Sequence, residues 1–199
     1  MTSAVHSAPS GATRRDGGLT ALILGFFAAG WFSWTPEAAG ALAVAVQIGS
    51  AAAVIIAVVG GVRAIRDWSS GGILNDPMAA RRYTLLVGVE FAAGVAGAGV
   101  LAAVGAAAFV PVWICAVVGL HFFPLASVLS APLTRGLGVA VTTVSIAGLL
   151  VGVLTDIAPS TVTGTGAGVS LLGYSLLMLV GSRYGGVRRV TVPDPIVVP

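Results

Sequence analysis

Apolar residues in this chain come in long unbroken runs. They do not alternate with polar ones as in a half-buried strand, nor do they form the one-sided stripe of a helix facing water. Six runs predict six helices, at about 19–34, 41–62, 77–108, 111–130, 137–155 and 162–182. Crossing a hydrocarbon core of about 30 Å takes about 20 helical residues, so each run is a candidate span, the first being the shortest. Barrel strands would need only about 10 alternating residues. The pattern therefore predicts an all-α polytopic membrane protein, a bundle of six transmembrane helices.

The polar breaks set the boundaries. Residues 1–17 are small and polar and predict a disordered tail, and 185–199, with Pro193, Pro195 and Pro199, predict another. Asn75-Asp76-Pro77 reads as a helix start, because Asp caps free N–H groups and Pro fits the first turn. The third helix then begins near Pro77 and enters the apolar layer near Tyr83. Ala131–Gly136 reads as a short loop carrying Arg135, and Asp156–Ser160 as a turn. Arg14-Arg15 ahead of a short apolar run also admits a cleaved leader. Against it, Trp31, Phe32 and Trp34 are large where a signal peptidase wants small residues.

Composition agrees with lipid as the main solvent. The chain is 57% hydrophobic and 9% charged, against about 25% charged in soluble domains, with a mean hydropathy of +1.01. The net charge of +3 does not point to nucleic acid, because the basic residues sit between apolar runs. All ten are Arg. If the N-terminus is cytoplasmic, every Arg falls on the inner side and the outer turns hold only Glu37 and Asp156. That is the positive-inside pattern, and it predicts both termini in the cytoplasm. Trp31, Trp34 and Trp113 then fall near the outer interface, and Trp68, Tyr83 and Tyr184 near the inner one. The expected partners are the bilayer itself and anionic lipid at the Arg-rich face. Arg without Lys, with abundant Ala, Gly and Val, suits a GC-rich bacterial genome, and the expected location is then a bacterial plasma membrane.

Small residues suggest how the helices pack. Gly94, Ala98, Ala102 and Ala106 recur every four residues and predict a smooth ridge that lets another helix approach closely. Glu90 lies one turn earlier on the same ridge. Such a face also suits a homo-oligomer. Gly164-Thr-Gly-Ala-Gly168 lacks the preceding strand and following Lys of a phosphate loop, and reads as packing. Cys115, alone in an apolar run, reads as a small buried hydrophobe. Three plus three helices would allow an inverted repeat, but the sequence shows no internal echo.

Chemistry is sparse. Glu90 is the one acid inside a predicted span, and an intramembrane carboxylate is a functional candidate by default. His121 lies on the next helix. Counting from the inner ends, Glu90 is ~10 Å deep and His121 ~13 Å, so the two can meet. Tyr174, Thr142 and Thr143 fall near that level as hydrogen-bonding neighbours, while Gln47 lies nearer the outer face. Pro124 should kink the fourth helix and free the carbonyl of Leu120. The expectation is a proton-exchanging or cation site around Glu90 and His121, set against a simple interhelical contact that fixes register. No zinc-ligand spacing, nucleophile elbow or H-E-x-x-H motif occurs, so neither an enzyme nor a metal or other cofactor is expected. The segment Gly119-Leu-His-Phe-Phe-Pro-Leu-Ala126 resembles one in small, uncharacterised bacterial multi-helix membrane proteins. That resemblance implies a shared membrane architecture and carries no catalytic role.

Overall fold

The computed structural model describes residues 13–181 apart from Pro36, Gly71 and Ser130. Both predicted tails fall largely outside the described residues, as do Tyr184, Arg183, Arg188 and Arg189. The described chain is helical, with no strand. Its six long helices are α1 (Arg14–Ser33), α2 (Gly40–Arg66), α3 (Pro77–Ala103), α4 (Val110–Val128), α5 (Leu133–Leu154) and α6 (Pro159–Gly181). Each is long and apolar enough to cross a membrane.

Local chemistry explains the ends. Asp76 accepts hydrogen bonds from the backbone N–H groups of Met78 and Ala79, and Pro77 occupies the first turn of α3. Four boundaries differ most from the sequence reading. α1 starts at Arg14, inside the stretch expected to be a tail, because Thr13 and Asp16 cap each other's backbone in a capping box. α3 stops at Ala103, five residues before the expected end. Gly105 adopts φ +78° there, its N–H reaches the Ala102 carbonyl, and the Ala106 N–H reaches the Leu101 carbonyl at 2.7 Å. That pair of bonds is a Schellman stop, for which glycine is the favoured residue. α5 and α6 begin earlier than expected, at Leu133 and Pro159, so Arg135 sits in a first turn and not in a loop.

α1 forms the centre of the bundle, packed against α2 and α6, and has the largest buried share of the six. A stretch that could be read as a leader is thus central to the core. Gly18, Ala21, Gly25 and Ala28 on α1 face Ala53, Ala57, Gly60 and Ala64 on α2, and the backbones touch. A Cβ on Gly60 would lie 2.6 Å from the Leu22 nitrogen and 2.7 Å from the Gly18 carbonyl oxygen. Gly164 and Gly168 seat α6 against the Trp31 backbone and the Phe32 ring of α1.

A second seam joins α4 to α5. Ser145 Oγ donates to the Val112 carbonyl at 2.9 Å, and the buried Cys115 thiol donates to that of Val141 at 3.4 Å. α3 is different. Among the long helices it packs substantially against α4 alone, and none of its residues is buried. The expected ridge does not form a helix contact. Nothing lies within 4 Å of a Cβ built on Gly94, Ala102 is exposed, and Ala106 lies beyond the end of the helix. Contact with α4 runs instead past Ala93 and Gly97, where the Trp113 ring covers Gly97 and its Nε1 donates to the Ala93 carbonyl at 3.0 Å. A four-residue repeat cannot be assigned to one contact when Ala and Gly are this common along the helix.

Helix ends carrying Arg gather at one end of the bundle. Arg15 stacks over the Trp68 ring and donates to Asn75 Oδ1. Arg63 donates to the Leu179 carbonyl at 2.6 Å, supplying a cation to the C-terminal end of α6, where helix dipoles favour one. Arg81 and Arg82 in the second turn of α3 and Arg135 in the first turn of α5 lie at that same end. Glu37 and Asp156 lie in the connections at the other end.

Candidate functional site

The loose attachment of α3 leaves a cleft of about 550 Å³ between α1 and α3, floored by α4. α1 and α3 flank it without extensive packing on one another. Its lining is almost wholly apolar. The helical period is visible along each wall: Leu24, Phe27, Trp31 and Trp34 on α1, Tyr83, Val87, Glu90 and Gly94 on α3, and Ile114, Val118, His121 and Leu125 on α4.

Glu90 and His121 meet in this wall. His121 Nε2 lies 3.5 Å from Glu90 Oε2, with the imidazole side chain 8% exposed and the carboxylate side chain 19% exposed. The distance suits a charged pair but exceeds the ~2.7–3.2 Å of a good N–H···O bond. Glu90 is central in α3, thirteen residues from either end. The His121 ring also packs edge-on to Phe122.

The other sequence candidates lie elsewhere. Tyr174 is buried, and its hydroxyl shares a 2.8 Å hydrogen bond with Thr134 Oγ1. Thr143 is exposed and donates to the Val139 carbonyl of its own helix. Thr142 faces Gly119 across the α4–α5 seam, its Oγ1 buried with no partner among the described residues. None of these three lines the cleft. Helix depth puts them at the right level, but helical phase turns Tyr174 and Thr142 into the α4, α5 and α6 contacts and Thr143 to the outer surface of α5. Pro124 is exposed, and α4 continues through it as helix.

Sequence reasoning passed over Tyr83, Phe26, Phe27 and Phe91, all of which line the cleft. A signal existed for Tyr83, which precedes Glu90 by seven residues and so shares its face. No signal existed for α1 as the opposite wall, because pairing between distant helices leaves no mark in one sequence. Among the described residues no group of three His, Cys, Asp or Glu side chains could hold a metal ion. No protein-family model, curated protein or solved structure matches the chain.

Proposed function

We propose that the chain is a small multi-pass protein of a bacterial plasma membrane, with both termini in the cytoplasm, in which Glu90 and His121 form the proton-exchanging site of a transporter. The observation that carries this reading is a carboxylate and an imidazole 3.5 Å apart in the wall of an apolar cleft. Placing an acid at the centre of a membrane helix costs about 2.5–3.5 kcal/mol on insertion scales. Such a residue is retained where it does chemistry or makes an indispensable contact. A carboxylate beside an imidazole offers two seats for one proton, and transfer between them needs little heavy-atom movement. The gathering of Arg at one end of the bundle supports the orientation.

The test is reconstitution into liposomes holding a pH-sensitive dye. The wild-type chain is expected to dissipate an imposed pH gradient faster than empty vesicles do. Glu90→Gln and His121→Ala are expected to return the rate to that of empty vesicles while keeping the wild-type melting temperature within a few degrees. Equal rates for all three proteins would sink the reading.

One observation favours a second reading. Among the described long helices α3 packs substantially on α4 alone, so the Glu90–His121 contact is one of the few polar links holding it. On that reading the chain is a structural or regulatory membrane subunit, and its Arg-rich end meets anionic lipid or a protein partner. The same substitutions would then lower stability by about 0.6–2 kcal/mol and leave the gradient untouched.

A further inference from the structure

Half of the aromatic side chains in this protein line the cleft that holds Glu90. The sequence holds 7 Phe, 4 Trp and 3 Tyr. Of these, Phe26, Phe27, Trp31, Trp34, Phe91 and Phe122 line the cleft, joined by Tyr83 on α3. Among the described residues Glu90 is the one acid in the lining, the lining holds no Arg, and the other titratable groups there are His121 and Tyr83. Aromatic faces carry the negative part of a quadrupole and attract cations, more strongly where water is excluded. An aromatic enclosure with a single acid and no fixed cation is complementary to one positive charge on an apolar body.

Shape narrows the class further. The three walls, Ile23–Trp34, Tyr83–Val95 and Ile114–Leu125, each extend ~16–18 Å at helical rise, so the cleft is an elongated slot. Its 550 Å³ lies within the range of about 300–1,000 Å³ typical of small-molecule sites. At roughly 30 Å³ per water-sized group, it takes a compact molecule and excludes a two-chain lipid. Its mouth lies between α1 and α3, where Phe26, Phe91 and Val95 are 68%, 58% and 71% exposed. An occupant therefore enters sideways between the helices, from the apolar phase that surrounds them.

We propose that the cleft binds a monovalent, membrane-partitioning organic cation, which takes the place of the proton on the Glu90–His121 pair. The proposal rests on the proton-exchanging reading and names the substrate class of that same site. As the cation binds, one proton leaves the pair for water and the charge within the cleft is conserved.

The probe is radiolabelled benzyltriethylammonium, an aromatic quaternary cation, titrated onto the full chain in nanodiscs. Its uncharged carbon analogue and protein-free discs serve as references. Saturable binding above the protein-free discs is expected, with release of protons into weakly buffered medium. Glu90→Gln should weaken the cation at least tenfold and leave the neutral analogue unchanged. Phe91→Leu should weaken the cation severalfold with the acid intact, and both variants are first shown to melt as wild type does. The proposal is overturned if the folded wild-type chain shows no saturable binding. It is also overturned if the cation and its neutral analogue bind alike, or if a second copy of the chain proves to fill the cleft in a stable dimer. A chain that carries protons in liposomes but fails to bind the cation loses this inference alone. A chain that binds the cation, releases protons and carries none across the bilayer keeps this site and loses the transport reading.

Discussion

α1 and α3 are both flanks of the same cleft, yet they are held by opposite means. α1 is pressed backbone to backbone onto α2, with Gly18, Gly25 and Gly60 allowing the approach. α3 has no buried residue and rests on α4 through Trp113 and the Glu90–His121 contact. The difference teaches where small residues matter. On α1 and α2 they are in contact, so each missing side chain is a distance gained. On the outward side of α3, Gly88 and Gly99 have nothing within 4 Å of a built Cβ, so there the same residue type is open surface. Frequency of Gly and Ala is no guide to contact; the neighbour decides.

Substitutions can break this contrast or sharpen it. The largest effect is expected from Gly60→Leu, which puts a branched side chain where even a Cβ would sit 2.6 Å from backbone. Overpacking of this kind costs about 1–3 kcal/mol or more, which exceeds the ~1 kcal/mol of helix propensity gained on replacing Gly. A thermal melt in detergent should show a large drop or no folded protein. An unchanged melt would mean that α1 and α2 are not in contact. Trp113→Phe should have a middling and local effect. It removes the bond to the Ala93 carbonyl, worth about 0.5–1.5 kcal/mol. Amide hydrogen exchange in α3 should accelerate several-fold while α1 and α2 keep their protection. Acceleration spread evenly over the bundle would show that α3 is not separately held. The smallest effect is expected from Gly88→Ala, which meets open space and gains at most about 1 kcal/mol of helix propensity. A lowered melting temperature there would reveal a neighbour covering α3.

Much of the fold was legible because its cause is local. Long apolar runs fix the number of helices, and Asp76-Pro77 fixes the start of α3 through the two N–H groups that Asp76 satisfies. The end of α3 was hidden. Gly105 stands among Ala and Val residues, and its stop signal is a backbone conformation and not a polar break. Apolarity alone sets the starts of α5 and α6 too late, because Pro132 and Pro159 mark entry into the first turn ahead of the apolar run.

At the site, Glu90 and His121 could be paired from depth alone, since a tight α3–α4 connection makes the two helices antiparallel neighbours. Tyr174, Thr142 and Thr143 share the depth but not the phase, and each turns to other company. The opposite wall depends on α1 standing beside α3 across a gap. Nothing in a single sequence records a gap.

The Schellman stop at Gly105 has a mechanical consequence. It joins α3 to α4 by a bend only a few residues long, while the other long helices leave α3 nearly unsupported along its length. α3 is in effect an arm hinged at that bend and steadied from one side, by α4 at Gly97, Ala93 and Glu90. Glu90 sits halfway along it, ~20 Å from the pivot at helical rise. A tilt of about 10° about the bend would swing the Glu90 carboxylate by ~3 Å at that radius, about as far as it now stands from His121 Nε2. A tilt of α3 away from α4 would part Glu90 from His121, so this contact at the middle of the arm opposes that movement.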